Sequence, residues 1–275
     1  MDTIHAMSAP VSRRALLKWS AGLAAAPLWA QSKSMKITAV KATPVTLTGG
    51  ETIAQTLFGK KPEFKSDFDP ARWRWRGPFA QLTGAIIVEI RTDAGISGFG
   101  LGAGGGAGAY IIDHHLQDLL VGANPANIEL LWDQMFAASS FYGRKGVTIM
   151  AMSAIDLALW DIAGKAANKP VYELLGGATK AKVPVYFTGF DVDKGLSLGC
   201  NAFKLPIRHG PPEGAEGVAF NVKLIREARE KIGPDRDLMI DCIGLWDVEY
   251  TLMIAEKLAP YRLKWIEEPL LPDDL

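Results

Sequence analysis

Asp241 closes the apolar run "DLMID" and Glu267 closes "LKWIE", so each carboxylate sits where a buried strand would end. One strand-plus-helix unit separates them, the repeat from which parallel sheets are built. Side chains at the C-terminal ends of neighbouring parallel strands converge, and two converging carboxylates repel each other unless a cation lies between them. Hard oxygen ligands select Mg²⁺ or Ca²⁺ over zinc. Asp241 and Glu267 are therefore candidate metal ligands with Mg²⁺ as the cofactor, the competing reading being that each caps the helix that follows it. Glu268 cannot face the same way as Glu267 in a strand, so it should support Glu267 from behind or pair with a neighbour. Lys204, in "AFKLP", ends the preceding strand. Beside a metal it can hold substrate negative charge or move a proton, the alternative being a solvated or salt-bridged strand-end lysine.

The elements that must position these groups follow from periodicity. "MKITAVKATPVTL", from Met35, alternates and is rich in β-branched residues, hence a strand. "GAIIVEIRTDAGISGFGLG" reads as a β-hairpin turning at Asp93-Ala94-Gly95. Three helices follow, "AYIIDHHLQDLLVG", "NIELLWDQMFAAS" and "GVTIMAMSAIDLALWDIAGKAANK", the third the most apolar and so expected to be buried. After Gly177 the strands "KVPVYFTGF", "CNAFKLPI", "DLMIDCIG" and "LKWIEEPL" are separated by helical segments, a pattern that predicts a parallel sheet. The expected fold is an α+β N-terminal capping domain over residues 35–165, followed by the first half of a (β/α)₇β TIM-like barrel over residues 166–275, its first four strands.

Thirty basic and thirty acidic side chains cancel, and no Lys/Arg stripe stands out, which excludes an electrostatic case for nucleic-acid binding. Cys200 and Cys242 lie in separate apolar runs and read as buried small side chains rather than a zinc or disulfide framework. "SRRALLKWSAGLAAAPLWA" joins Arg13 and Arg14 to an apolar run ending in small residues, so residues 1–30 read as a twin-arginine export signal. A periplasmic destination and no stable membrane insertion after signal cleavage are expected. The stretch "ARWRWRGPF" lies in a long polar and aromatic connection with the character of a lid. Arg74 and Arg76 within it are candidates for holding a substrate hydroxyl or carboxylate, or else cations stacked on Trp73 or Trp75.

"AMSAIDLALWDIAGKAANKPVYELLGG" resembles the signature of the mandelate racemase and muconate lactonizing enzyme branch of the enolase superfamily. "LMIDCIGLWD" and "KWIEEPLLPDD" resemble its first two metal-ligand strands, and the likeness runs from about Met35 to the end of the chain. The resemblance implies Mg²⁺ on three carboxylates, and proton abstraction beside a substrate carboxylate with the enediolate held by the metal. Many members carry a Lys-x-Lys pair where this chain has Lys204-Leu205-Pro206, and proline cannot act as a base. "KLPIRHGP" with "LMIDC" and "LKWIEE" is similar to the L-rhamnonate dehydratase group of acid-sugar dehydratases, with the segment from Arg208 to Asn221 read as an insertion-like turn. His209 in that turn is a further substrate-binding candidate. The implied activity is loss of water from a small-molecule acid sugar, within a full-length form that is a homo-oligomer. Racemase, epimerase or cycloisomerase chemistry on the same scaffold, or a non-catalytic fragment, are the alternatives. The group's third carboxylate ligand and its catalytic histidine with its aspartate are expected on strands beyond Leu275, which makes the chain part of a longer enzyme and inactive by itself.

Overall fold

Ile86, Val88, Ile90 and Thr92 are buried at every second position of β2 (Ala85–Thr92), the period of a strand with one face on a core. The computed structural model describes residues 35–45, 63–69 and 84–271. Three strands, β1 (Ile37–Val45), β2 and β3 (Ser97–Gly102), form one sheet in that order. The β2–β3 connection closes where the sequence places it, with Gly95 N–H donating to the Thr92 carbonyl and Gly95 at φ +76°. Helices α1 (Gly105–Ile111) and α2 (Gln117–Leu120) are joined by a π-helical turn, Ile112–Leu116. Ile112, Leu116 and Leu120 are buried at a steady four-residue interval, the spacing that a wider turn keeps on one face. Next come α3 (Ile128–Ser139), α4 (Val147–Ala167) and the single turn α5 (Val171–Leu174).

α4 is long and apolar enough to suit a membrane span, yet Met152, Ile155, Leu159 and Ile162 are buried within the fold. Its partner is β3, and three glycines permit the approach. A Cβ on Gly98 would lie 2.1 Å from the Ala158 carbonyl oxygen, and one on Gly100 would lie 1.9 Å from that of Ala154. Alanines at 154 and 158 thus meet glycines at 98 and 100, so strand and helix touch backbone to backbone. Asp161, a polar exception on this helix, accepts from Phe99 N–H at 2.8 Å and from Lys165 Nζ at 2.7 Å. α4 runs through Lys165 to Ala167, and the compact unit that holds it extends to Leu175.

From Gly176 the chain belongs to a second compact unit. Its strands β4 (Phe187–Thr188), β5 (Ala202–Pro206), β6 (Asp237–Asp241) and β7 (Ile266–Glu267) are all parallel and lie in that order. β4 and β7 are two residues long rather than the nine and eight expected, and Pro184 and Pro269 bring no N–H to extend them. Between them run α6 (Val192–Ser197), α7 (Gly214–Ile232) and α8 (Val248–Leu258). Periodicity does not predict α6, since it is short and interrupted by Gly195, whose Cβ would lie 2.5 Å from the Phe203 ring. Only the first part of the segment from Arg208 to Asn221 is a turn: a 3₁₀ turn spans Pro211–Glu213 and α7 begins at Gly214. Phe203 and Leu205 of β5 with Ile207 just after it, and Leu238 and Ile240 of β6 with Cys242 just after it, form a core with Ile225, Ile232, Ile254 and Leu258 of the helices.

Candidate metal centre

Alternation along the strands separates the two faces of this parallel sheet. With Phe203, Leu205, Leu238 and Ile240 committed to the helices, Lys204, Pro206, Met239, Asp241 and Glu267 fall on the opposite face. Register does the rest. Pro206 lies level with Asp241, and Asp241 level with Glu267, so both carboxylates stand at the same height at the C-terminal ends of adjacent strands.

Lys204 Nζ lies 3.0 Å from Asp241 Oδ2 and 2.7 Å from Glu267 Oε1. The lysine side chain is only 9% exposed. Burial works against its charge, but the hydrogen bonds it donates to Glu267 and Asp241 outweigh that, and its pKa moves above the ordinary lysine value. The hydrogen bond from Lys204 holds the Glu267 carboxyl below its usual range. The remaining oxygens are also engaged. Asp241 Oδ1 accepts from Ile243 N–H at 3.2 Å, and Glu267 Oε2 accepts from the Trp265 indole N–H at 3.0 Å. Trp265 meets Tyr186 edge to face, with ring centroids 5.8 Å apart, and the Tyr186 ring lies 5.7 Å below Lys204 Nζ. The neighbouring Cys242 thiol is raised by burial and then by the two carboxylates, which makes it an inert core side chain as expected.

The segments beyond β6 and β7 are laced together. Cys242 N–H donates to the Glu267 carbonyl, Gly244 N–H to that of Glu268, and Trp246 N–H to that of Pro269. Ile243 at φ +53° and Glu268 at φ +42° sit in the left-handed region, an unfavourable place for a side-chain-bearing residue, above all a β-branched one. The Asp241 carboxylate accepts the N–H of Ile243 in a local turn rather than capping α8. That cap is Asp247, whose Oδ1 accepts from Tyr250 N–H at 2.8 Å. Glu268 leaves the strand: its side chain is exposed and its carbonyl serves the Gly244 contact.

His209 turns its ring onto Phe220 of α7, centroids 4.4 Å apart. Its carbonyl accepts from Asn221 Nδ2 at 3.0 Å and from Trp246 Nε1 at 2.9 Å, so this residue anchors the turn after β5. Arg74, Arg76 and the Arg13-Arg14 signal lie outside the described residues. Tyr186 and Trp265 join the site beyond the residues expected there. Trp265 carried a signal, two positions before Glu267 on the same strand face, whereas Tyr186 reaches the centre only through strand pairing.

Two hard carboxylates already converge on one point occupied by positive charge, the arrangement a divalent cation requires, and they fit Mg²⁺, which takes one or two protein carboxylates and completes its shell from water and substrate. Among the described residues no third acidic, histidine or cysteine side chain joins them.

Residues 79–176 match the mandelate racemase / muconate lactonizing enzyme N-terminal domain, and residues 192–275 match the enolase C-terminal domain-like model. The chain belongs to the mandelate racemase/muconate lactonizing enzyme family of the enolase superfamily. It has that family's N-terminal domain and C-terminal TIM-barrel domain, the latter represented here by the parallel sheet. A relative from Caldivirga maquilingensis is 46% identical over 193 residues, covering 70% of this chain and 48% of its own length. An L-rhamnonate dehydratase from Saccharopolyspora erythraea is 39% identical over 252 residues, 87% of this chain and 63% of that protein. The crystal structure of rhamnonate dehydratase from Gibberella zeae complexed with Mg superposes with a TM-score of 0.79 at 34% identity, over 90% of this chain and 63% of that one. The chain thus spans between about half and under two thirds of the length of these family members.

Proposed function

We propose that this chain carries the cation-binding strands of a Mg²⁺-dependent dehydratase of acid sugars, within the first half of a (β/α)₇β barrel. The observation that carries this reading is the meeting of Asp241, Glu267 and Lys204 at adjacent strand ends, in register and on one sheet face. Likeness to two L-rhamnonate dehydratases supports the substrate class. Asp241 and Glu267 would hold the cation, whose charge, once bound, eases removal of a proton α to a substrate carboxylate. Lys204, within reach of both carboxylates at the same strand ends, would hold substrate negative charge or move a proton. Pro206, level with Asp241, offers no proton-transferring group at the end of β5, which argues against a two-base racemase.

The test is product analysis on the protein as its gene encodes it, with a library of acid sugars. Semicarbazide absorbance should report a 2-keto-3-deoxy acid, lost on chelation and restored by Mg²⁺. Epimerised or cyclised products seen by NMR, without a 2-keto-3-deoxy acid, would replace the dehydratase reading with an epimerase or cycloisomerase.

A further inference from the structure

Glu267 is a flexible side chain at the end of a two-residue edge strand, yet both of its oxygens are directed. Lys204 takes Oε1, and the indole N–H of Trp265 takes Oε2 at 3.0 Å. Indole nitrogen is a donor only, so this contact suits a carboxylate and leaves Oε1 turned toward the point shared with Asp241. The indole is itself braced. Its ring meets Tyr186 at 77°, and the Tyr186 face underlies the Lys204 ammonium. Trp265 is 36% exposed and Tyr186 43%, so neither is held there by deep burial. The ring contact and the hydrogen bond supply the orientation instead.

We propose that Trp265 is a positioning residue for Glu267, fixing that carboxylate in the orientation that receives the divalent cation. This rests on the Mg²⁺ reading above. A ligand held in place by an outer hydrogen bond loses less freedom on binding, and removing such partners typically weakens metal affinity about 10–100-fold.

The experiment is calorimetric titration of Mg²⁺ into the chelator-treated protein and into Trp265→Phe, which keeps an aromatic ring and removes the N–H. The variant should bind Mg²⁺ about tenfold more weakly. A second variant carries benzothienylalanine at position 265, an indole isostere without the N–H, so that ring shape and folding are preserved; it should lose affinity to the same extent. In turnover assays the Mg²⁺ requirement should rise while KM for the acid at saturating Mg²⁺ stays unchanged. Wild-type affinity in the isostere variant would overturn the role of Trp265 and leave the metal reading standing. Failure of the wild-type protein to bind Mg²⁺ would overturn the metal reading itself.

Discussion

Lys204 is the cation that lets two carboxylates share one corner of the sheet, and its removal should be felt as charge rather than as lost volume. In Lys204→Met, Asp241 and Glu267 face each other without a counter-charge. The three side chains are partly buried, so the cost should fall below that of a fully buried broken pair, about 1–3 kcal/mol. Urea unfolding in the presence of chelator measures it, and an unchanged midpoint would show that the bridge contributes nothing. Asp156 on α4 poses the opposite problem. Burial, and then the charge of Glu129, raise its carboxyl above the ordinary value of 3.8. The folded state therefore binds this proton more tightly than the unfolded state, and stability falls as pH rises from about 3.8 through the raised value. Asp156→Asn should raise Tm at neutral pH, with the gain vanishing below about pH 3. A gain of the same size at both pH values would detach it from this ionisation.

β3 and α4 form a contact in which the strand has no side chains where the helix has its alanines. Gly100→Ala would set a methyl group 1.9 Å from the Ala154 carbonyl oxygen, so the elements must part. Overpacking of this kind costs about 1–3 kcal/mol, and more where the obstacle is backbone. Leu159→Ala works in the other direction: it empties a fully buried site and should cost about 2–5 kcal/mol. Thermal unfolding followed by far-UV circular dichroism compares the two. A loss near zero for Leu159→Ala would show that α4 can collapse around the gap. In the second unit the same logic explains α6, where Gly195 lets the short helix lie on the Phe203 ring.

For the protein as a whole, the proposed cofactor and the proposed destination bear on each other. A twin-arginine signal carries proteins that have already folded, which would suit uptake of the proposed Mg²⁺ before export. Export by that route is a proposal that rests on Arg13, Arg14 and the apolar run that follows them. Arg13→Lys with Arg14→Lys should leave the protein in the cytoplasmic fraction. Unchanged appearance in the periplasm would point to a route that does not read the arginine pair.

Much of this molecule was legible in one dimension. The alternation of Ile86, Val88 and Ile90, the Asp93-Ala94-Gly95 turn and the apolar run of α4 express local periods that depend on neighbours in the chain. The family signature and the positions of Asp241 and Glu267 at strand ends belong to the same class, because a strand end is a local event. Pairing decided the rest. Only register sets Asp241 level with Glu267, lifts Lys204 between them and swings Trp265 and Tyr186 around the ions. The capping alternative for Asp241 disappeared because Asp247 takes the α8 cap. Residue types and local period are properties of the chain itself, whereas the height at which one strand meets the next is decided by packing between segments distant in sequence, and the geometry of this site depends on that height.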